Sequence, residues 1–227
     1  MKILIDTADI NVIKKLYTIF HFDGVTTNPK LLARIDGDPM EILKEIRRAI
    51  PNEAELHVQV VSSEKEAMLQ EAEYILEQIG PDTHIKIPVC KDGYAAIREL
   101  SSRGVKVTAT AIFNDAQATM AAHQGAYSVA PYIHRINNKG YKGVDTAVQI
   151  QNVLTVQHYD TEILAAAFES VGQVMEVIAS GAASLTVAPD LLMEIFFNII
   201  TEDAVKDFEH DFQTQFKQKS MLANTKM

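Results

Sequence analysis

Short runs in which apolar and polar residues alternate recur along the whole chain, and each is followed by a longer segment whose apolar residues return every three or four positions. Lys2-Ile3-Leu4-Ile5-Asp6 is the first such run, and seven more follow at 24–28, 55–61, 84–89, 106–113, 127–133, 162–168 and 184–190. Successive starts lie roughly 20 to 35 residues apart, the length that a strand, a helix and two short loops require.

The intervening segments predict amphipathic helices. Ser62-Ser63-Glu64-Lys65-Glu66 offers capping groups and early carboxylates, after which Met68, Leu69, Ala72, Ile75, Leu76 and Ile79 form one stripe that Gly80-Pro81 ends. A segment over 91–103 repeats the form and stops at Gly104; further helices are predicted at 9–20, 39–50, 114–124, 144–158, 170–180 and 190–198. Alternating strand and helix favours parallel pairing through right-handed crossovers, and eight such units favour a closed (β/α)₈ barrel, an α/β fold. An additional C-terminal helix over 201–216 places Val205, Phe208, Phe212 and Phe216 on one stripe, and residues 217–227 read as a mobile tail. With no composition break, residues 1–216 are predicted to form one domain.

Composition narrows the function. With 47% apolar and 22% charged residues, the chain can bury a sizeable core. Its 21 basic against 30 acidic side chains give a net charge of −9, which argues against a surface that grips nucleic acid or anionic lipid. The one cysteine, Cys90, excludes an internal disulfide and a Cys-rich zinc site and fits a reducing compartment such as the cytoplasm. No leader or membrane span is expected, since Asp6 interrupts the N-terminal apolar run and no later run reaches ~18 apolar residues. The seven histidines contain no His-x-His or HExxH spacing, so no catalytic metal is expected.

Catalytic groups of such barrels stand at the C-terminal strand ends, and here those ends carry Asp6, Asn28, Gln59, Lys86, Thr110 and Tyr132. Lys86 is the least expected. In His84-Ile85-Lys86-Ile87-Pro88 it shares the inward face with His84 and Pro88, where loss of hydration lowers its pKa and makes the amine a nucleophile able to form a Schiff base. The alternative for a lone inward lysine is an ion pair with Asp6 or an extended stem reaching the rim. Asp6 and Asn28 suit the hydroxyls of a polyol, and Gln59, Thr110 and Tyr132 together can hold the water that imine chemistry releases and consumes.

Five segments carry a family resemblance: Ile5-Asp6-Thr7-Ala8-Asp9, Gly24-Val25-Thr26-Thr27-Asn28-Pro29, His84-Ile85-Lys86-Ile87-Pro88-Val89, Thr108-Ala109-Thr110-Ala111-Ile112-Phe113 and Ala130-Pro131-Tyr132-Ile133-His134-Arg135-Ile136. In order, from residue 1 to about 216, they resemble the transaldolase family, particularly its short branch with fructose-6-phosphate aldolase. The resemblance implies a TIM barrel, no cofactor and a Lys86 Schiff base that holds a dihydroxyacetone unit while the C3–C4 bond of a ketose is cleaved or formed. It implies catalytic roles for Asp6, Gln59, Thr110 and Tyr132 and substrate binding by Asn28, Thr27 and Arg135. It further implies a small sugar or sugar phosphate as partner and a homo-oligomer assembled in rings through the C-terminal helix, a decamer among its forms. True transaldolases generally show Glu and Phe where this chain has Gln59 and Tyr132, so the pair resembles the aldolase branch; a true transaldolase and a sugar-binding barrel without turnover are the alternatives.

One segment departs from the family's pattern. At the end of the seventh strand the family carries Ser-Phe-Arg/Lys for phosphate, whereas this chain reads Ala167-Phe168-Glu169. At ~4–6 Å and an effective dielectric of ~20, each unit-charge pair is worth roughly 3–4 kcal/mol before screening. Glu169 is therefore expected to repel a phosphorylated terminus, with Arg135 offsetting part of the effect and Ser170 offering a displaced hydroxyl.

Overall fold

The computed structural model describes residues 1–222. Its compact units are Met1–Pro189 and Asp190–Met227. In the first, eight parallel strands close in sequence order: β1 (Lys2–Asp6), β2 (Gly24–Thr26), β3 (Glu55–Gln59), β4 (His84–Pro88), β5 (Val107–Ile112), β6 (Ser128–Pro131), β7 (Glu162–Ala165) and β8 (Ser184–Val187), with β8 pairing back to β1. The chain therefore folds as a (β/α)₈ barrel. All eight predicted strands form. Most are shorter at the C-terminal end than the alternation suggested, because there the chain leaves the ladder to build the loops of the site.

The connecting helices are α1 (Ile10–Tyr17), α2 (Pro29–Leu32), α3 (Pro39–Ala49), α4 (Lys65–Ile79), α5 (Lys91–Ser102), α6 (Asp115–His123), α7 (Ile133–Asn137), α8 (Gly143–Val156) and α9 (Val171–Ala179). Local chemistry fixes their ends. Asp9 Oδ1 accepts from the backbone N–H groups of Asn11 and Val12, Asp38 caps α3 in the same way before Pro39, and Gly80, at φ +136°, stops α4 in a conformation that suits glycine. The short helices α2 and α7 were not predicted, being too brief to show a 3.6-residue period.

The two faces of the strands bury different chemistry. Ile5, Val25, Leu56, Ile85, Ile87 and Val129 lie outward and are fully buried beneath the helices. The inward positions are largely polar, as hydrogen bonds between non-adjacent strands show: Thr26 with Thr186, and His57 with Thr108. Leu4, Ala130 and Leu164 supply an apolar cluster within the barrel. Register places Gln59 beside Lys86, and Thr110 beside Pro88, two residues further along β4 than Lys86.

The second unit holds α10 (Pro189–Phe196), apart from its first residue, and α11 (Ile199–Phe216). Asn198 caps α11, and Lys217 ends it in the left-handed region at φ +53°. This is the additional C-terminal helix expected, beginning two residues early, and none of its residues is buried. Phe208 is 71% and Phe216 59% exposed, with the Phe212 and Phe216 rings 5.0 Å apart. Of the predicted tail, residues 223–227 lie outside the described residues. Among the described residues, no helix is long and apolar enough to cross a membrane.

Candidate active site

At the C-terminal mouth of the barrel lies a cavity of about 300 Å³ whose walls include Asp6, Asn28, Gln59, Lys86, Thr110, Tyr132 and Arg135. It collects seven of the eight residues selected from the sequence. Thr27, the eighth, does not line it.

Lys86 is 6% exposed, and its Nζ donates to the backbone carbonyl of Thr27 at 2.7 Å. Burial of the amine pushes its pKa below that of free lysine, while the Asp6 carboxylate acts in the opposite direction. Thr27 thus contributes its backbone; its hydroxyl, fully buried, donates to the carbonyl of His57. Strand alternation gives the reason, since the inward residue of β2 is Thr26. Its hydroxyl donates to Asp6 Oδ1 at 2.7 Å and also meets Thr186 Oγ1 at 2.7 Å. One carboxylate oxygen of Asp6 is therefore held by a threonine pair reaching from β2 to β8. Thr186 lines the cavity as well and was not foreseen.

Asn28 is committed on one side. Its Oδ1 caps α2 by accepting from the Leu31 N–H at 3.0 Å, which leaves the amide N–H₂ as the group it can offer a ligand. The mixed donor and acceptor expected of Asn28 is thereby weighted toward the donor.

Three groups can handle water. Thr110 Oγ1 and Tyr132 Oη are 2.9 Å apart. Gln59 Oε1 is buried with no hydrogen-bond partner among the described residues, an orphaned acceptor in the cavity wall. Backbone irregularity aims Thr110: the register of β5 with β6 shifts between Ala109 and Ile112, and Ala111 takes φ +58°, costly for a residue with a Cβ.

The anion end differs most from the sequence expectation. Glu169 does not line the cavity; its carboxylate meets His134 Nδ1 at 2.5 Å, and the side chain is 65% exposed. The expected repulsion is therefore directed away and screened by solvent. Ser170 does not line the cavity and caps α9 by accepting from the Gln173 N–H, so it is not the displaced hydroxyl expected there. On the attractive side, Arg135 lines the cavity with its guanidinium 4.7 Å from the centre of the Tyr132 ring, and Lys30 of α2 joins it. Lys30 was missed because its helix was missed. Asn28 followed by Pro29, a capping residue before proline at the first helical position, was the available signal.

The comparisons agree with one another. The family described as transaldolase/fructose-6-phosphate aldolase matches residues 3–226. A protein of Paracoccus denitrificans (strain Pd 1222) described as "Probable transaldolase" is 33% identical over 212 residues, covering 93% of this chain and 96% of that protein.

Proposed function

We propose, from the premise that this chain belongs to the transaldolase/fructose-6-phosphate aldolase family, that the enzyme is a Schiff-base aldolase acting on ketoses through Lys86. The observation that carries the reading is a desolvated amine, hydrogen-bonded to a backbone carbonyl, opening on a cavity lined by a carboxylate and hydroxyl groups.

The neutral Nζ attacks the C2 carbonyl of the ketose, and the carbinolamine loses water to give the iminium ion. Asp6 then takes the proton of the C4 hydroxyl. The C3–C4 bond breaks, its electron pair moves toward the iminium nitrogen, and the aldehyde departs while a three-carbon enamine stays on Lys86. Protonation of that enamine at C3 and attack of water at C2 release dihydroxyacetone and restore the amine. The Thr26–Thr186 pair keeps Asp6 oriented, and Asn28 donates to a donor hydroxyl. Gln59 and the Thr110–Tyr132 pair hold the water; a neutral amide there accepts a hydrogen bond without taking up the proton. Lys30 and Arg135 favour an anionic substituent at the far end of the substrate.

Release of free dihydroxyacetone separates this reading from a true transaldolase, which passes the same unit to a second sugar. Incubation with fructose 6-phosphate and no acceptor is expected to liberate dihydroxyacetone, and Gln59→Glu to shift the ratio of release to transfer by about tenfold toward transfer. Turnover of fructose 6-phosphate only when an acceptor aldose is present, with no free dihydroxyacetone, would favour the transferase. The exposed aromatics of α11 support a homo-oligomer in solution.

A further inference from the structure

Below the catalytic cavity, at the opposite end of the barrel, Glu55, His57 and His84 each bring one donor atom into a group whose members lie within 4.8 Å of one another. The two imidazole rings are 4.3 Å apart, and both residues are 1% exposed. His57 Nε2 meets Glu55 Oε2 at 3.0 Å, and its Nδ1 meets Thr108 Oγ1 at 2.9 Å, which in turn accepts from Ser128. His84 differs: its Nδ1 is buried and has no hydrogen-bond partner among the described residues. Leaving a buried ring nitrogen unpaired is costly, and nothing in the catalytic mechanism uses it.

The group sits among charges of both signs. Two carboxylates, Glu55 and Glu162, share the ammonium of Lys2 at 2.9 and 2.8 Å, while Lys106 faces the Tyr127 ring. A separate cavity of about 140 Å³ adjoins Glu55, and Asp23 and Glu53 line it together with Lys2 and His21, giving an approach from the surface.

We propose that Glu55, His57 and His84 form a binding site for a divalent ion of the zinc class, which ties β3 to β4 at the strand starts. Two imidazole nitrogens, one carboxylate oxygen and a water complete the four-coordinate set such an ion prefers. The ion takes Nε2 of His57 and Oε2 of Glu55, replacing their mutual hydrogen bond. The proton on Nε2 moves to Nδ1 or to solvent, with Thr108 positioned to accept from Nδ1 and fix the ring. Oε1 of Glu55 remains with Lys2. The site does not enter the chemistry at Lys86.

The test uses the full chain, stripped with EDTA and titrated with Zn²⁺ alone. Calorimetry is expected to give one ion per chain with a Kd of about 1 µM or tighter, and Tm to rise by about 5 °C at ~100-fold excess over Kd. Co²⁺ should give the visible absorption of a four-coordinate nitrogen and oxygen site. His84→Phe keeps a ring against Tyr127 and removes a donor; Glu55→Gln keeps a hydrogen-bonding group for Lys2 and removes the charge. Each should weaken binding at least about tenfold and, at the same ion concentration, cut the rise in Tm by about half or more. Should His84→Phe not fold, Glu55→Gln decides. Absence of wild-type binding below about 100 µM, or unchanged affinity in the folded variants, which would assign the ion to exposed histidines, overturns the proposal.

Discussion

Lys2 and Lys86 both sit inside the barrel, at opposite ends, and their surroundings differ in kind. At the strand starts Lys2 is held between Glu55 and Glu162, and His57 links Glu55 onward to Thr108. Burial alone would lower the pKa of Lys2, but its carboxylate partners raise it. Burial alone would raise that of Glu55, yet the hydrogen bonds from His57 and Lys2 bring it down to about 2. At the strand ends Lys86 has one hydrogen bond among the described residues, to the Thr27 carbonyl, and burial lowers its pKa. A lysine locked in its charged form supports a fold; one whose charge is disfavoured can attack a carbonyl. The contrast locates reactivity in the partners a lysine lacks.

Lys86→Met breaks the upper half of the comparison. Activity should fall at least about 10³-fold, because no amine remains to form the imine. Stability should hold or rise, since an apolar side chain replaces a desolvated amine. Lys86→Arg should be nearly as inactive, as a guanidinium stays protonated. The stability also carries a pH signature. Between the lowered folded pKa of Lys86 and the ordinary lysine value, the unfolded chain binds a proton the folded chain does not. The contribution of this residue to stability is thus lost as pH falls through that window, and chemical denaturation of Lys86→Met at a series of pH values should show the slope removed.

The anion end sharpens the comparison within the upper half. Arg135→Met should raise KM for fructose 6-phosphate about tenfold or more while leaving dihydroxyacetone chemistry within about twofold. Glu169→Lys should change either by less than about threefold, since that carboxylate is turned to His134 and solvent. A large improvement from Glu169→Lys in steady-state kinetics would show that the carboxylate reaches the bound phosphate.

Lys2→Met tests the lower half. It leaves two part-buried carboxylates to share His57 and water, so Tm should fall by about 2–8 °C, on the order of 1–2 kcal/mol after allowing for solvent screening. Activity per folded molecule should stay within about twofold. An inactive but fully stable Lys2→Met would reverse the assignment of the two ends.

Much of this was legible in the chain, for reasons that also mark the limits. Alternation in His84-Ile85-Lys86-Ile87-Pro88 was enough to send Lys86 inward, and turn and cap residues located most helices. The same alternation favours Thr26 over Thr27 as the inward group, whereas the family resemblance was carried onto Thr27. Lys30 and Arg135 lie on helices of four and five residues, below the length at which periodicity speaks. Thr186 lies within the eighth predicted strand and was not singled out, although its hydroxyl meets Thr26 across the barrel. The direction of Glu169 depends on His134, a contact between α7 and the loop after β7 that no local pattern encodes.

The central claim is that Lys86 is the nucleophile, and trapping of its imine tests it most directly. Borohydride reduction in the presence of dihydroxyacetone, followed by peptide mapping, should place a single reduced three-carbon adduct on Lys86, growing in parallel with loss of activity and absent from Lys86→Met. An adduct on a different lysine, or full activity retained after complete reduction, would contradict the account.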